Sequence, residues 1–250
     1  MKTKLILIKG IPGSGKSTIA KNIGEYLSAN GIKTKVYTEG QLHPVDLAWC
    51  ACIPIEHYYS IISKYPLYQN AIRENTHFEN NTAIVAYTKF TIKTPELFKL
   101  LESNEIFNSR VGFDVFSSLF LKRWGNFAKQ AENRDEITVF ECAYLQNQLC
   151  ELIYFHNMDP TNIEKYMLAL IDTVRNLNPI MFYLNQPNIS EHIRLIADKR
   201  VNANGEKEWL EKVILYTENS PYGKMNNLKG FSGVIQGFEI RRQIELNLIK

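Results

Sequence analysis

Cysteine is scarce in this chain: four residues in 250, at positions 50, 52, 142 and 150. So few thiols give no disulfide framework. That excludes a small cross-linked secreted scaffold and makes the reducing cytoplasm the expected setting. Long hydrophobic runs are missing too. The first apolar run, Leu5-Ile6-Leu7-Ile8, breaks at Lys9, well short of the ~18 residues of a membrane span. Neither a membrane span nor a signal segment is therefore expected. Charge of one sign is small, with a formal net charge of +3. This argues against binding nucleic acid or membranes by bulk electrostatics, and leaves only a local basic patch to do so. Internal repeats and low-complexity linkers are absent as well.

What is present is concentrated near the N-terminus. Gly10 to Thr18 read GIPGSGKST, directly after the apolar run. The spacing GxxxxGK[ST] puts Gly10, Gly15, Lys16 and Ser17 where a phosphate-binding loop needs them. Its glycines permit a tight turn whose backbone N–H groups converge on phosphate oxygens, so Gly10, Pro12, Gly13, Ser14, Gly15, Lys16, Ser17 and Thr18 are the candidate nucleotide-binding residues. Lys16 would bridge the terminal phosphates and Ser17 would offer a hydroxyl to Mg²⁺. Ile19, Ile23, Tyr26 and Leu27 follow at helical spacing, and Gly31 stands where a helix end calls for positive φ. The motif thus sits in the strand, loop and helix it requires, and predicts ATP and Mg²⁺ as cofactors.

Farther along, strand signals at Lys4–Lys9, Lys33–Glu39, Thr82–Thr88, Ile137–Cys142 and Ile180–Asn185 alternate with helical patterns. This predicts an α/β fold with a mainly parallel sheet between helical layers. A single domain over 1–250 is expected, with a helical, acceptor-binding insertion at about 41–135 and a helical lid at about 188–235. Thr161-Asn-Ile-Glu164 reads as a capping box, with Ile163, Tyr166, Met167, Leu170, Ile171 and Val174 forming the stripe of the helix that follows. Phe113, Phe116, Phe120, Trp124 and Phe127 recur at helical steps and read as core. Thr94-Pro95 opens another helix. After Asn185 the pattern is helical to the end, in Gly205–Asn219 and Ile240–Ile249, with a glycine-punctuated loop from Ser220 to Lys224 and at Lys229-Gly230. P-loop kinases usually return to the sheet with a final strand here, so either that strand is absent or the sequence stops short of it.

The loop resembles those of small P-loop kinases that begin G-x-P-G-S-G-K-S/T, a group including polynucleotide kinases and zeta-toxin-type kinases. More widely, it resembles the nucleoside and nucleotide kinase superfamily of P-loop NTPases. The resemblance is specific only over the loop. Elsewhere it is one of element order, and it implies a three-layer α/β/α P-loop fold and phosphoryl transfer from ATP.

Several residues could carry that chemistry. Glu39 ends the second strand, where a parallel sheet gathers its ligands. It is the candidate for taking the proton of an attacking hydroxyl, a role supported by resemblance to deoxynucleoside kinases. Glu141 ends the strand Ile137-Thr-Val-Phe-Glu141, the position from which P-loop NTPases reach Mg²⁺. Aspartate is more usual there, and glutamate could instead serve as the base. His43, Asp46 and Trp49 follow Glu39 and suit a polar ring or sugar, or else form a structural loop. Cys50 and Cys52 stand too close together for the usual zinc spacing with His43 and His57. Arg194 and Arg200, ahead of Lys199, are candidates to neutralise charge on the transferred group. Arg110, Arg123 and Lys89 are weaker candidates to anchor an acidic acceptor, and read more simply as surface charges.

The expectation is an ATP-dependent phosphotransferase acting on a small-molecule or nucleotide-type acceptor. A nucleotide-dependent switch ATPase and a 5′-end nucleic-acid kinase are the alternatives. The first lacks a supporting N-K-x-D motif and the second lacks a basic charge balance. Acceptor identity and oligomeric state stay open, a homodimer included.

Overall fold

In the computed structural model, which describes residues 2–202 and 204–249, the chain opens with β1 (Leu5–Gly10), α1 (Lys16–Ala29) and β2 (Thr34–Tyr37). It continues through β3 (Ala51–Pro54), α2 (Ile55–Lys64), α3 (Gln69–Glu74), β4 (Thr76–Glu79), β5 (Thr82–Val85), α4 (Pro95–Glu102) and α5 (Phe113–Glu132). Then come β6 (Ile137–Glu141), α6 (Gln146–Cys150), α7 (Pro160–Asp172), β7 (Ile180–Leu184), α8 (Ile189–Lys199), α9 (Glu208–Asn219), α10 (Pro221–Met225) and α11 (Gly230–Leu248). Contacts divide the chain into two units, residues 1–36 with 128–250, and residues 37–127.

The first unit is built on a four-stranded sheet in the order β2-β6-β1-β7. β1 runs parallel to β6, Leu5 facing Thr138 and Ile8 facing Glu141, and parallel to β7, Ile6 facing Ile180 and Gly10 facing Leu184. All six β1 residues are buried. Ile6 and Ile8 pack with Ala20 of α1, beside Ile19, Ile23 and Leu27. Leu5 and Leu7 alternate to the opposite face and are also fully buried, so both faces of the sheet are covered, as a parallel sheet requires. This is the predicted α/β architecture with its parallel sheet. Among the described residues no strand follows β7, in keeping with the helical ending read from the sequence.

A buried ion pair lies within this unit. Arg241 and Glu245, one helical turn apart on α11, face each other at 3.1 Å with side chains only 2% and 1% exposed. The Tyr183 hydroxyl of β7 donates to Glu245 Oε2 at 2.6 Å, and Arg241 Nη1 donates to the sulfur of Cys150 at 3.4 Å. Charges this deep persist only when partnered.

The second unit departs from the helical insertion expected, in which the one strand signal, Thr82–Thr88, belongs to the parallel sheet. It holds a three-stranded antiparallel sheet in the order β3-β5-β4, with Ala51 opposite Val85 and Glu79 opposite Thr82. Thr82–Val85 is thus a strand, but of this small sheet and not of the parallel one. Ala51, Ile53, Ala83 and Val85 pack with Tyr58, Ile61 and Ile62 of α2 and Leu97 and Leu101 of α4. The aromatic stripe of α5 is core as predicted: Phe116, Phe120 and Trp124 are fully buried.

Local corrections concern helix ends. α7 is capped by Asp159, whose carboxylate accepts from the Asn162 amide, with Pro160 in the first turn; the expected Thr161–Glu164 box lies inside the helix. Ser220 to Lys224 is not a loop. Ser220 caps α10 by accepting from the Gly223 amide. α9 starts at Glu208, later than Gly205, and α11 starts at Gly230, ten residues before the expected Ile240.

Candidate nucleotide-binding site

β1 ends at Gly10, and the chain turns through Ile11 to Gly15 into α1. Gly15 occupies the N-cap position at φ 93°, a left-handed conformation that favours glycine. No side chain caps α1, and its first turn, Lys16-Ser17-Thr18, carries no acid. The N–H groups at this helix start therefore lack a side-chain acceptor, the condition under which a helix N-terminus takes an anion. Ser14 Oγ is buried beside them without a hydrogen-bond partner, a further polar atom suited to a phosphate oxygen. Lys16 is buried, and its ammonium donates to the Ile11 carbonyl at 3.0 Å. That carbonyl keeps the charge inside the loop.

Glu141 is brought to the loop by strand register, since it stands opposite Ile8, two residues before Gly10. The Ser17 hydroxyl donates to Glu141 Oε1 at 2.7 Å. A hydroxyl and a carboxylate oxygen at this separation match the edge, about 3 Å, of an octahedron with Mg²⁺-length bonds. The residues present thus fit Mg·ATP. No group of three His, Cys, Asp or Glu that could hold a metal occurs among the described residues, so nucleotide phosphates and water would complete such a shell. Cys142, the next residue, adopts φ 65°. Its sulfur lies 3.8 Å from Glu141 Oε1 and 3.6 Å from Gln146 Oε1. Neither Cys142 nor Gln146 was foreseen from the sequence.

α8 carries the basic candidates. It ends at Lys199, so Arg200 is its cap residue and the six-residue separation from Arg194 is not a helical one. The Arg194 guanidinium lies 5.0 Å over the Phe231 ring, and that of Arg200 lies 4.8 Å over Trp209. Both are held against α11 and α9 by cation–π contact. Lys199 is exposed at the last turn. Sequence reasoning missed His192, one turn before Ile196 on α8. Its Nε2 lies 3.0 Å from the Pro12 carbonyl of the loop; a single histidine on an amphipathic helix gives no motif to find.

The remaining candidates lie in the second unit. Glu39 Oε1 accepts from the Trp49 indole at 3.3 Å. Trp49 is 48% exposed and sits at φ 61°, an uncommon conformation for a bulky residue. His43 Nδ1 accepts from the amides of Val45 and Asp46, and Asp46 Oδ1 accepts from that of Ala48. These atoms shape the loop that presents Trp49. Arg123 is buried, contrary to the surface reading. It pairs with Glu79 and donates to the His43 carbonyl at 3.2 Å. Arg110 pairs with Glu105 at 3.1 Å, and Tyr87 donates to the same carboxylate at 2.6 Å. Burial raises the Glu105 pKa, while its bonds to Tyr87 and Arg110 oppose the shift. Burial also pushes the Cys52 thiol up to about 12 and the Cys50 thiol higher, so neither is a nucleophile near neutral pH. Lys89 is exposed.

The family model of the chromatin associated protein KTI12 matches residues 3–52, the stretch that contains β1, the loop, α1 and β2. No curated protein matches the chain. No helix among the described residues is long and apolar enough to cross a membrane. Loop, sheet register and family match agree on a P-loop nucleotide-binding protein, similar over its N-terminal segment to the KTI12 family.

Proposed function

We propose that the protein is an ATP-dependent phosphotransferase. The observation that carries the reading is the hydrogen bond between Ser17 and Glu141. It joins the loop hydroxyl to the acid of the neighbouring strand, the pair by which P-loop kinases and ATPases hold the metal of their nucleotide. In this reading the α1 N-terminus and Lys16 bind the β- and γ-phosphates and spread their charge. Mg²⁺, when bound with the nucleotide, would supply positive charge to offset that of the phosphates. Ser17 and Glu141 orient it, and Glu39 takes the acceptor's proton. The acceptor is an alcohol or phosphate on a small molecule or nucleotide.

A switch ATPase would use the same loop without an acceptor. The description of the matched family, chromatin associated, is the reason to include 5′-hydroxyl oligonucleotides beside nucleosides and nucleotides in an acceptor panel. The test is ATP consumption with each acceptor and without any. Acceptor-stimulated turnover that Lys16→Ala abolishes and Glu39→Gln lowers at least about 100-fold, the scale of a lost general base, supports the reading. Acceptor-independent hydrolysis unchanged in Glu39→Gln moves it to the switch ATPase.

A further inference from the structure

The first turn of the phosphate loop has a defined type. The Ser14 amide bonds to the Ile11 carbonyl at 3.3 Å, closing a four-residue turn with Pro12 and Gly13 at its centre. Proline fixes φ near −65° at the first central position, and Gly13 has φ 74° at the second. This combination is a type II turn; type I would need φ near −90° at Gly13. The two types differ by a flip of the peptide between Pro12 and Gly13. Because a trans peptide is planar, with C=O and N–H on opposite sides, fixing the Pro12 carbonyl also fixes where the Gly13 N–H points.

His192 is the group on that carbonyl. A carbonyl only accepts, so Nε2, at 3.0 Å, carries the proton and donates. The ring's approach is set by packing. The Asn188 side chain accepts from the Glu191 amide and fixes the start of α8. Ile189 and Ile193 are buried with Ile11, Val234, Ile235 and Phe238. Ile196 lies so close to Gly13 that a Cβ there would meet its δ1 carbon at 2.4 Å. Residues 189, 192, 193 and 196 share one helix face, and that face covers the turn. With the carbonyl drawn to α8, the Gly13 N–H points away from the helix.

We propose that His192 is a positioning residue of the nucleotide site, holding the Pro12–Gly13 peptide in its type II orientation so that the Gly13 N–H is aimed as a phosphate donor. The proposal rests on the nucleotide-binding reading and adds to it a residue outside the motif. α8 then acts as a fixed wall of the loop.

The experiment compares His192→Phe, which keeps ring volume and removes the donor, with His192→Gln, which keeps an N–H. Two readouts are used. In nucleotide-free protein, the Pro12 Hα to Gly13 amide NOE is strong in a type II turn and weak in type I. Mg·ATP affinity is measured by calorimetry. The expected result is a strong NOE in the wild type and in Gln, a weakened one in Phe, and affinity about five- to tenfold lower in Phe alone, the scale of one hydrogen bond. A Phe variant with the wild-type NOE and affinity within about twofold of wild type overturns the proposal, as does a weak NOE in the wild type. Failure of the underlying reading looks different. Wild type and variants then bind no Mg·ATP while the NOE still separates Phe from Gln, and that result also overturns the proposal.

Discussion

At the scale of single residues, the site rests on a few oxygen and nitrogen atoms whose separations decide what they can hold. Ser17 and Glu141 are joined at 2.7 Å, and a charge-assisted bond of this kind contributes about 1.5–3 kcal/mol. Glu141→Gln keeps the shape and removes the charge. It is expected to leave the fold intact, and to raise the Mg²⁺ concentration needed for half-maximal ATP affinity about tenfold or more. Fluorescent-nucleotide titrations at graded Mg²⁺ check this, and an unchanged midpoint would remove Glu141 from the metal's surroundings. These two residues were legible because each sits at a position the motif or strand pattern prescribes. His192 was not, since its role depends on a carbonyl 180 residues earlier. Arg123 was misread for a related reason: isolated basic residues look solvated, and only the fold shows Glu79 and the His43 carbonyl around this one.

At the scale of elements, periodicity served segments with a clear apolar pattern well and the others poorly. β1, α1, β6, β7 and the aromatic stripe of α5 carry strong patterns and lie where the sequence places them. β3 and β4 carry no such pattern: Ala51-Cys-Ile-Pro54 ends in proline and Thr76-His-Phe-Glu79 holds a single apolar residue. The β4–β5 hairpin did leave a signal in Asn80-Asn81, a two-residue connection with Asn80 at φ 53°, which asparagine tolerates better than most residues. The cap of α7 offers a direct comparison of two readings. Asp159→Ala should lower the thermal midpoint, whereas Thr161→Ala should leave it nearly unchanged; equal effects would restore the capping box. The Asn162 amide, followed by its side chain, holds the Asp159 carboxyl below the usual aspartate range. Its stabilisation is therefore present above the unfolded-state pKa and is lost as pH falls through the folded one. The difference between wild type and Asp159→Ala should accordingly shrink as the solution is acidified, which melting curves at graded low pH would show.

At the scale of the whole molecule, ligand binding and stability are linked. Mg·ATP at 100 times its dissociation constant should stabilise the first unit by about 2.7 kcal/mol, seen as a higher thermal midpoint in the wild type and none in Lys16→Ala. A shift that survives in Lys16→Ala would place the nucleotide elsewhere. The chain order of that unit has a consequence in time. β1 is fully buried, yet both strands beside it, β6 and β7, come from residues 137–141 and 180–184. At a synthesis rate of roughly 5–20 residues per second, the N-terminal strand waits on the order of ten seconds on the ribosome before its first neighbour exists. During that interval Leu-Ile-Leu-Ile is an unpaired, sticky segment, and its safe passage depends on what shields the nascent chain as much as on the finished fold.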